Sequence, residues 1–269
     1  MASAITLDRP RAGVAVITMT NPDIINFGSW KAIGDLATAL REAREGGARV
    51  TVLASGVPGH WFQHAWLTDL VNAMTGQPTT GDGGSWFACL HELNQTNVVT
   101  IAAISGDTNG GGCELGWACD LRIAEEQVLF GQPEVGIGVG TGIGGTSRLR
   151  QLIGRTATAE MVLLGYPITA QRLLALGGVN RVVPRGKALE VALEWAGIMA
   201  DRPPAALAGM KRMLTEGDNL QRIPEAVLND QSIFQSFSGA PDAIATMRKA
   251  QARFDAGENP RTVYGGPLD

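Results

Sequence analysis

Glu114, Glu134 and the glycines ahead of the first are the residues whose types and spacing suit chemistry. The apolar run Val98–Ile104 leads into Ser105-Gly106 and then Asn109-Gly110-Gly111-Gly112-Cys113-Glu114-Leu115. A strand, three glycines and a helix in that order leave backbone N–H groups without partners at the positive end of the helix. Glycine lets a ligand oxygen reach those groups with no Cβ in the way. The ligand is a phosphate or a carbonyl oxygen that gains negative charge. Glycines that only let a helix pack closely on a sheet are the plainer alternative. Glu114 falls in the first turn of that helix, where a carboxylate also suits the helix dipole. Glu134 follows in Phe130-Gly131-Gln132-Pro133-Glu134, a setting in which an unpaired charge is costly. Two carboxyls in one apolar pocket have their proton affinities pushed apart, giving an acid and a base near neutral pH.

Other chemistries lack their parts. No lysine follows the glycine triplet, so it is no Walker loop, and no Gly-x-Ser-x-Gly elbow supplies a hydrolase nucleophile. His91-Glu92 begins like a zinc-protease helix, but Gln95 stands where the second ligand belongs. His60 and His64 could share a metal only on a helix, and Pro58-Gly59 precedes them, so they read as loop histidines and no metal is expected. Gly140-Thr141-Gly142-Ile143-Gly144-Gly145 satisfies the dinucleotide pattern, yet the proline- and glycine-rich segment before it is no central strand.

The order Gly-Gly-Gly-Cys-Glu-Leu, Cys-Asp-Leu-Arg-Ile-Ala, Phe-Gly-Gln-Pro-Glu and Gly-x-Gly-Gly-Thr-x-Arg-Leu resembles the crotonase (enoyl-CoA hydratase/isomerase) superfamily. Asn21-Pro22 through Asn26 is similar to an early turn of that family, and Ile168 through Asn180 to a later segment. The resemblance implies an α/β fold, a ββα spiral core over residues 1–200, and a C-terminal helical region over 201–269 that builds a homotrimer or a dimer of trimers. It implies an acyl-CoA thioester as substrate, with coenzyme A part of that substrate and no further cofactor. Gly111 resembles one N–H donor to the thioester oxygen. Glu114 resembles the residue that holds and deprotonates water, and Glu134 the one that delivers a proton to the α-carbon. The implied activity is addition of water across the 2,3 double bond. The alternatives are a Δ3–Δ2 isomerase, which needs a single base, and an acyl-CoA binder with little turnover.

The second donor falls where the chain departs from the family. Its Phe-x-Ala-Gly-x-Asp reads here as Phe62-Gln63-His64-Ala65-Trp66-Leu67, which assigns the second N–H to Trp66. Thr141 likewise stands where proline is common. A bulky ring at position 66 is expected to narrow the acyl slot or to stack on a planar acyl group. By resemblance, Ile24, Asn26, His64, Ala65, Leu67, Pro133 and Gly142 contact substrate or CoA. Lys249 and Phe254 either reach CoA or are a solvated lysine and a packed ring.

These residues need elements to hold them. Val14–Met19, Val50–Ala54, Val98–Ile104, Leu121–Ala124, Val128–Phe130 and Val179–Val183 read as strands. Ser29 caps a helix with Trp30, Ile33, Leu36, Ala37, Leu40 and Ala43 on one face, and a short helix follows at Trp86–Leu93. Ser55 to Ser85 reads as a long irregular stretch, of the sort that is functional or partly helical. Strand–helix alternation argues for parallel strands with helical crossovers, and a helical layer begins near Asp201. Among 269 residues, 22 Lys and Arg against 26 Asp and Glu give a net charge of −4, no footprint for nucleic acid or an anionic membrane. Three cysteines suit a reducing compartment, and no secretory signal or membrane span is legible, so a cytoplasmic protein is expected.

Overall fold

The apolar runs become the strands of a largely parallel sheet. The computed structural model describes residues 4–217 and 223–264. The chain begins with β1 (Ala4–Arg11), β2 (Val14–Thr20), α1 (Trp30–Glu45), β3 (Val50–Ser55), α2 (Leu67–Met74) and α3 (Ser85–Leu93). It continues with β4 (Val99–Ile104), β5 (Thr108–Asn109), α4 (Gly111–Ala118), β6 (Leu121–Glu125), β7 (Leu129–Gly131) and α5 (Ser147–Leu164). Then come β8 (Ile168–Thr169), α6 (Ala170–Leu176), β9 (Arg181–Val183) and α7 (Ala188–Ala200). The C-terminal helices are α8 (Pro204–Gly217), α9 (Ile223–Ser238), α10 (Pro241–Asp255) and α11 (Pro260–Tyr264).

The large sheet has the order β1-β2-β3-β4-β6-β9 and a small one the order β5-β7-β8. Within the large sheet only the β1–β2 pair is antiparallel. The units β4-β5-α4 and β6-β7-α5 each send one strand to each sheet and then a helix outward, as the expected ββα spiral requires.

Side-chain alternation gives the large sheet two buried faces. Ala15, Ile17, Leu53, Ala102 and Ile104 face α1, α3 and α4, where Ile33, Leu36, Leu40, Trp86 and Leu115 cover them. Val14, Val16, Val50, Val52, Ile101 and Ile123 face α7, whose Ala188, Ala192, Ala196 and Ala200 recur every fourth residue. A stripe of alanines lets that helix lie close to the strands. Ser29 caps α1 as expected, its side chain accepting from the Ala32 N–H at 3.2 Å.

The C-terminal layer is stitched to the core. Lys211 of α8 is buried, with Nζ 2.9 Å from Asp120 and donating to the carbonyls of Leu93 and Val98. Met247 and Ala250 of α10 join Leu67 and Val71 of α2 in one apolar cluster with Ile137 and Val139. Arg261 of α11 pairs with Asp107, beside the glycine loop, at 2.8 Å. Among the described residues no helix is long and apolar enough to cross a membrane.

Candidate active site

The first bend is the glycine loop between β5 and α4. Gly110 adopts φ +48°, a conformation that favours glycine, and a Cβ there would collide with His64. A Cβ on Gly112 would meet the Phe62 carbonyl, and one on Gly111 would lie 2.8 Å from the Trp86 ring. The glycines therefore serve close packing against the 61–65 segment as well as ligand access. At the start of α4 the Gly111 N–H finds no acceptor among the described residues.

The second bend is laced to the first by side chains. Asn109 donates to Gln63 Oε1 at 2.5 Å and accepts from the His64 N–H at 3.2 Å, while Thr108 Oγ1 donates to the Phe62 carbonyl at 2.7 Å. Here the structure corrects the sequence reading. The Trp66 N–H donates to the Gly28 carbonyl at 3.0 Å, and the Gly28 N–H to the His64 carbonyl at 2.9 Å. The Trp66 ring packs with Ile24 and Phe27, outside the cavity described below. In an extended segment successive N–H groups point to opposite sides, so the amide turned away from Gly28 is that of Ala65. Ala65 lines the same cavity as Gly111, and among the described residues its N–H has no acceptor.

Both glutamates reach that cavity, and both are buried. The Glu114 carboxylate accepts from the backbone N–H groups of Gly142 at 3.2 Å, Gly145 at 3.0 Å and Ile143. The dinucleotide-like glycine run is thus a cradle for a side chain of its own protein. Glu134 opens the 3-10 turn Glu134–Ile137, held by the Val139 N–H on its carbonyl. The Gln132 amide, oriented by its partners, donates to Glu134 Oε1 at 2.8 Å and accepts from the Trp117 indole N–H at 3.0 Å. Burial, and then the nearby Glu114 charge, hold the Glu134 carboxyl well above the usual carboxylate range. Burial also pushes the His64 imidazole down to about 4, so it is neutral at neutral pH. Its Nδ1 lies 2.5 Å from the Ala65 carbonyl, which only accepts, so Nδ1 carries the proton.

The cavity has a volume of about 410 Å³, and His64, Ala65, Leu67, Gly111, Gly142 and the two glutamates line it. Three of the seven residues expected at substrate or CoA, Ile24, Asn26 and Pro133, do not line it. Asn26 is buried, its side chain joining the Asn21 N–H, the Met19 carbonyl and Ser55, so it closes a turn. Ile24 packs with Phe27 and Trp66, and Pro133 lines a smaller pocket beside Gly165. Lys249 is exposed, whereas the Phe254 ring lies 4.9 Å from Phe27 and 5.7 Å from His64. His60 and His64 sit in loop, and among the described residues no three His, Cys, Asp or Glu side chains gather as metal ligands.

Several wall residues escaped the sequence reading: Trp30, Trp86, Phe87 and Phe234. The sequence places Trp30 on the apolar face of one helix and Trp86 at the start of another, and each also borders the cavity. Asp69 escaped too. Fully buried, it accepts from the Trp30 N–H at 2.8 Å and the Thr80 N–H at 2.7 Å, tying α1 to the loop after α2.

A family model described as enoyl-CoA hydratase/isomerase matches residues 9–253. A short-chain-enoyl-CoA hydratase of Clostridium acetobutylicum is 30% identical over 207 residues, 76% of this chain and 78% of that protein. The crystal structure of carnitinyl-CoA hydratase from Mycobacterium avium is 29% identical with a TM-score of 0.79, covering 97% of this chain and 98% of that one. A monofunctional enoyl CoA isomerase from M. smegmatis is 26% identical with a TM-score of 0.68, over 80% of this chain and 93% of that one.

Proposed function

The chain belongs to the enoyl-CoA hydratase/isomerase family, and on that premise we propose that it adds water across the 2,3 double bond of an acyl-CoA thioester. The observation that carries this reading is the convergence of two buried carboxyls of unlike environment on one cavity with two backbone N–H groups. Glu114, aligned by three amides, holds water and accepts its proton as the oxygen attacks C3. Glu134, kept neutral by burial and by its neighbour's charge, gives its proton to C2. The electron pair of the double bond passes through an enolate whose oxygen is held by the N–H groups of Gly111 and Ala65. Donors aimed at such an oxygen contribute about 3 kcal/mol each to lowering the barrier. Amide donors and a glutamate pair account for every proton and charge in this step, so the reaction calls for no cofactor beyond the CoA that the substrate carries.

An isomerase needs one base to move a proton between carbons. The second carboxyl and its dedicated partner Gln132 favour hydration. Mixing the purified protein with crotonyl-CoA and longer or aryl enoyl-CoAs and following loss of the conjugated absorbance tests the reading. Glu114→Gln and Glu134→Gln are each expected to lower kcat by about 10²-fold or more. Movement of a 3,4 double bond to the 2,3 position without hydration would make it an isomerase. Binding with no turnover of any enoyl-CoA would make it a binder.

A further inference from the structure

The cavity wall beyond the glutamates is a slot between two separate apolar clusters. On one side stand Trp30 and Trp86, part of the core beneath the sheet. On the other stand Leu67, Met74 and Phe234, part of the cluster that joins α2 to the C-terminal helices. Phe87 borders the same space. Four rings on one cavity are a large share of a chain with only 7 Phe, 6 Trp and 2 Tyr. The two tryptophans are fixed in place. The Trp86 ring is wedged where a Cβ on Gly28 would lie 2.6 Å from it and one on Gly111 2.8 Å, so it flanks the amide at the reacting end. The Trp30 backbone N–H donates to Asp69, which sets the start of α1, and the ring lies against Gly83, where a Cβ would approach to 3.0 Å.

Shape narrows the occupant. At roughly 30 Å³ per non-hydrogen atom, the share of a water in the liquid, a four-carbon enoyl group with its oxygen fills about 150 Å³ and a phenyl-substituted one about 300 Å³, and the cavity has room for either. A straight chain of eight carbons fills nearly as much, but it surrenders rotamer freedom in a fixed slot. A planar ring conjugated to the double bond surrenders little and meets ring faces and edges, whose contacts add to area burial. Resting on the thioester reading above, we propose that the acyl group carries a planar aryl ring at C3, held between Trp30 and Trp86 on one wall and the Leu67–Met74–Phe234 wall on the other. The aromatic wall that the sequence assigned to Trp66 is supplied by these two tryptophans instead.

Calorimetric titration of the full chain with three unreactive thioesters tests this: butanoyl-CoA, octanoyl-CoA and 3-phenylpropanoyl-CoA. The phenyl compound is expected to bind at least 10-fold tighter than butanoyl-CoA and at least 3-fold tighter than octanoyl-CoA. Turnover is read as dehydration of 3-hydroxy-3-phenylpropanoyl-CoA against 3-hydroxybutanoyl-CoA, because ring conjugation drives the reaction that way. Trp30→Ala is expected to reduce the aryl-to-butanoyl ratio of kcat/KM at least 10-fold. Phe87→Ala, at a position 38% exposed and therefore tolerant, should reduce it about 3-fold and carries the test if the first variant does not fold. Octanoyl-CoA binding as tightly as the phenyl compound, or an unchanged ratio in a folded variant, overturns the proposal and leaves the hydratase reading standing. Failure of all three thioesters to bind overturns that reading as well.

Discussion

The surroundings of Glu134 raise its carboxyl well above the ordinary carboxylate range, and the same surroundings act on stability. Its folded form keeps a proton that the unfolded chain releases above the ordinary value of 4.5. Folding therefore takes up a proton over that interval, and stability falls as pH rises through it. Glu134→Gln has no proton to lose. Its stability relative to the parent should grow from the ordinary carboxylate range upward while activity collapses, and urea midpoints across pH measure both slopes; equal slopes would refute the raised carboxyl. His64 has the opposite sign. Its pKa falls from 6.5 to about 4, so stability is lost as pH drops through that window, by up to about 3 kcal/mol. His64→Gln should flatten that acid limb, and an undiminished limb would place its origin elsewhere. The glutamate pair was legible because helix and turn motifs set its positions. The second amide was not, since a one-residue slip in an extended segment turns the neighbouring N–H toward the cavity. The spacing Leu67, Leu70, Val71, Met74 marks a helix from Leu67 and could have placed the bend at Ala65.

At the scale of elements, the bends are set by backbone passing backbone. The 61–65 segment crosses the start of α4 so closely that Gly112 faces the Phe62 carbonyl. Gly112→Ala should therefore cost about 3 kcal/mol, the upper end for overpacking, because its obstacle is backbone rather than a movable side chain. Gly209, inside α8 with open space about it, should respond to the same change with a gain of about 0.5–1 kcal/mol. Denaturant midpoints of the two variants should thus move in opposite directions, and a neutral Gly112→Ala would deny the close crossing. The parallel strands were legible as continuous apolar runs, since both faces of their sheet are covered. β1 was not: an edge strand in the sequence Asp8-Arg9-Pro10-Arg11 needs no apolar run and tolerates proline. Nor was α2, which starts at Leu67 after Trp66, whose side chain makes no capping bond, inside a glycine-rich stretch; its Asp69 accepts from the first N–H of α1 instead.

At the scale of the molecule, the layer from residue 201 has two faces with different work. Inward, α9 places Phe234 on the cavity and Gln231 donates to the Gly142 carbonyl, whose own N–H holds Glu114. Outward, α8 shows Met210, Met213 and Leu214, 64%, 69% and 65% exposed at helical spacing, and α9 shows Leu228 and Ile233. Scattered apolar side chains need no cover, but several of them exposed on two consecutive helices suit burial against further copies of the chain. With the homotrimer or dimer of trimers that the family resemblance implies, light scattering is expected to give three or six times 28.3 kDa, and Met213→Lys to shift the mass downward with helix content retained. A mass of one chain at all concentrations would refute the assembly. Because α9 holds both outer apolar side chains and the cavity wall, loosening the first should be felt in the second: the dissociated variant is expected to bind acyl-CoA more weakly, although the substituted residue touches neither glutamate nor amide. Undiminished affinity in the monomer would show that α9 is braced by its own chain, through α5 and α10, and needs no neighbour to complete the site.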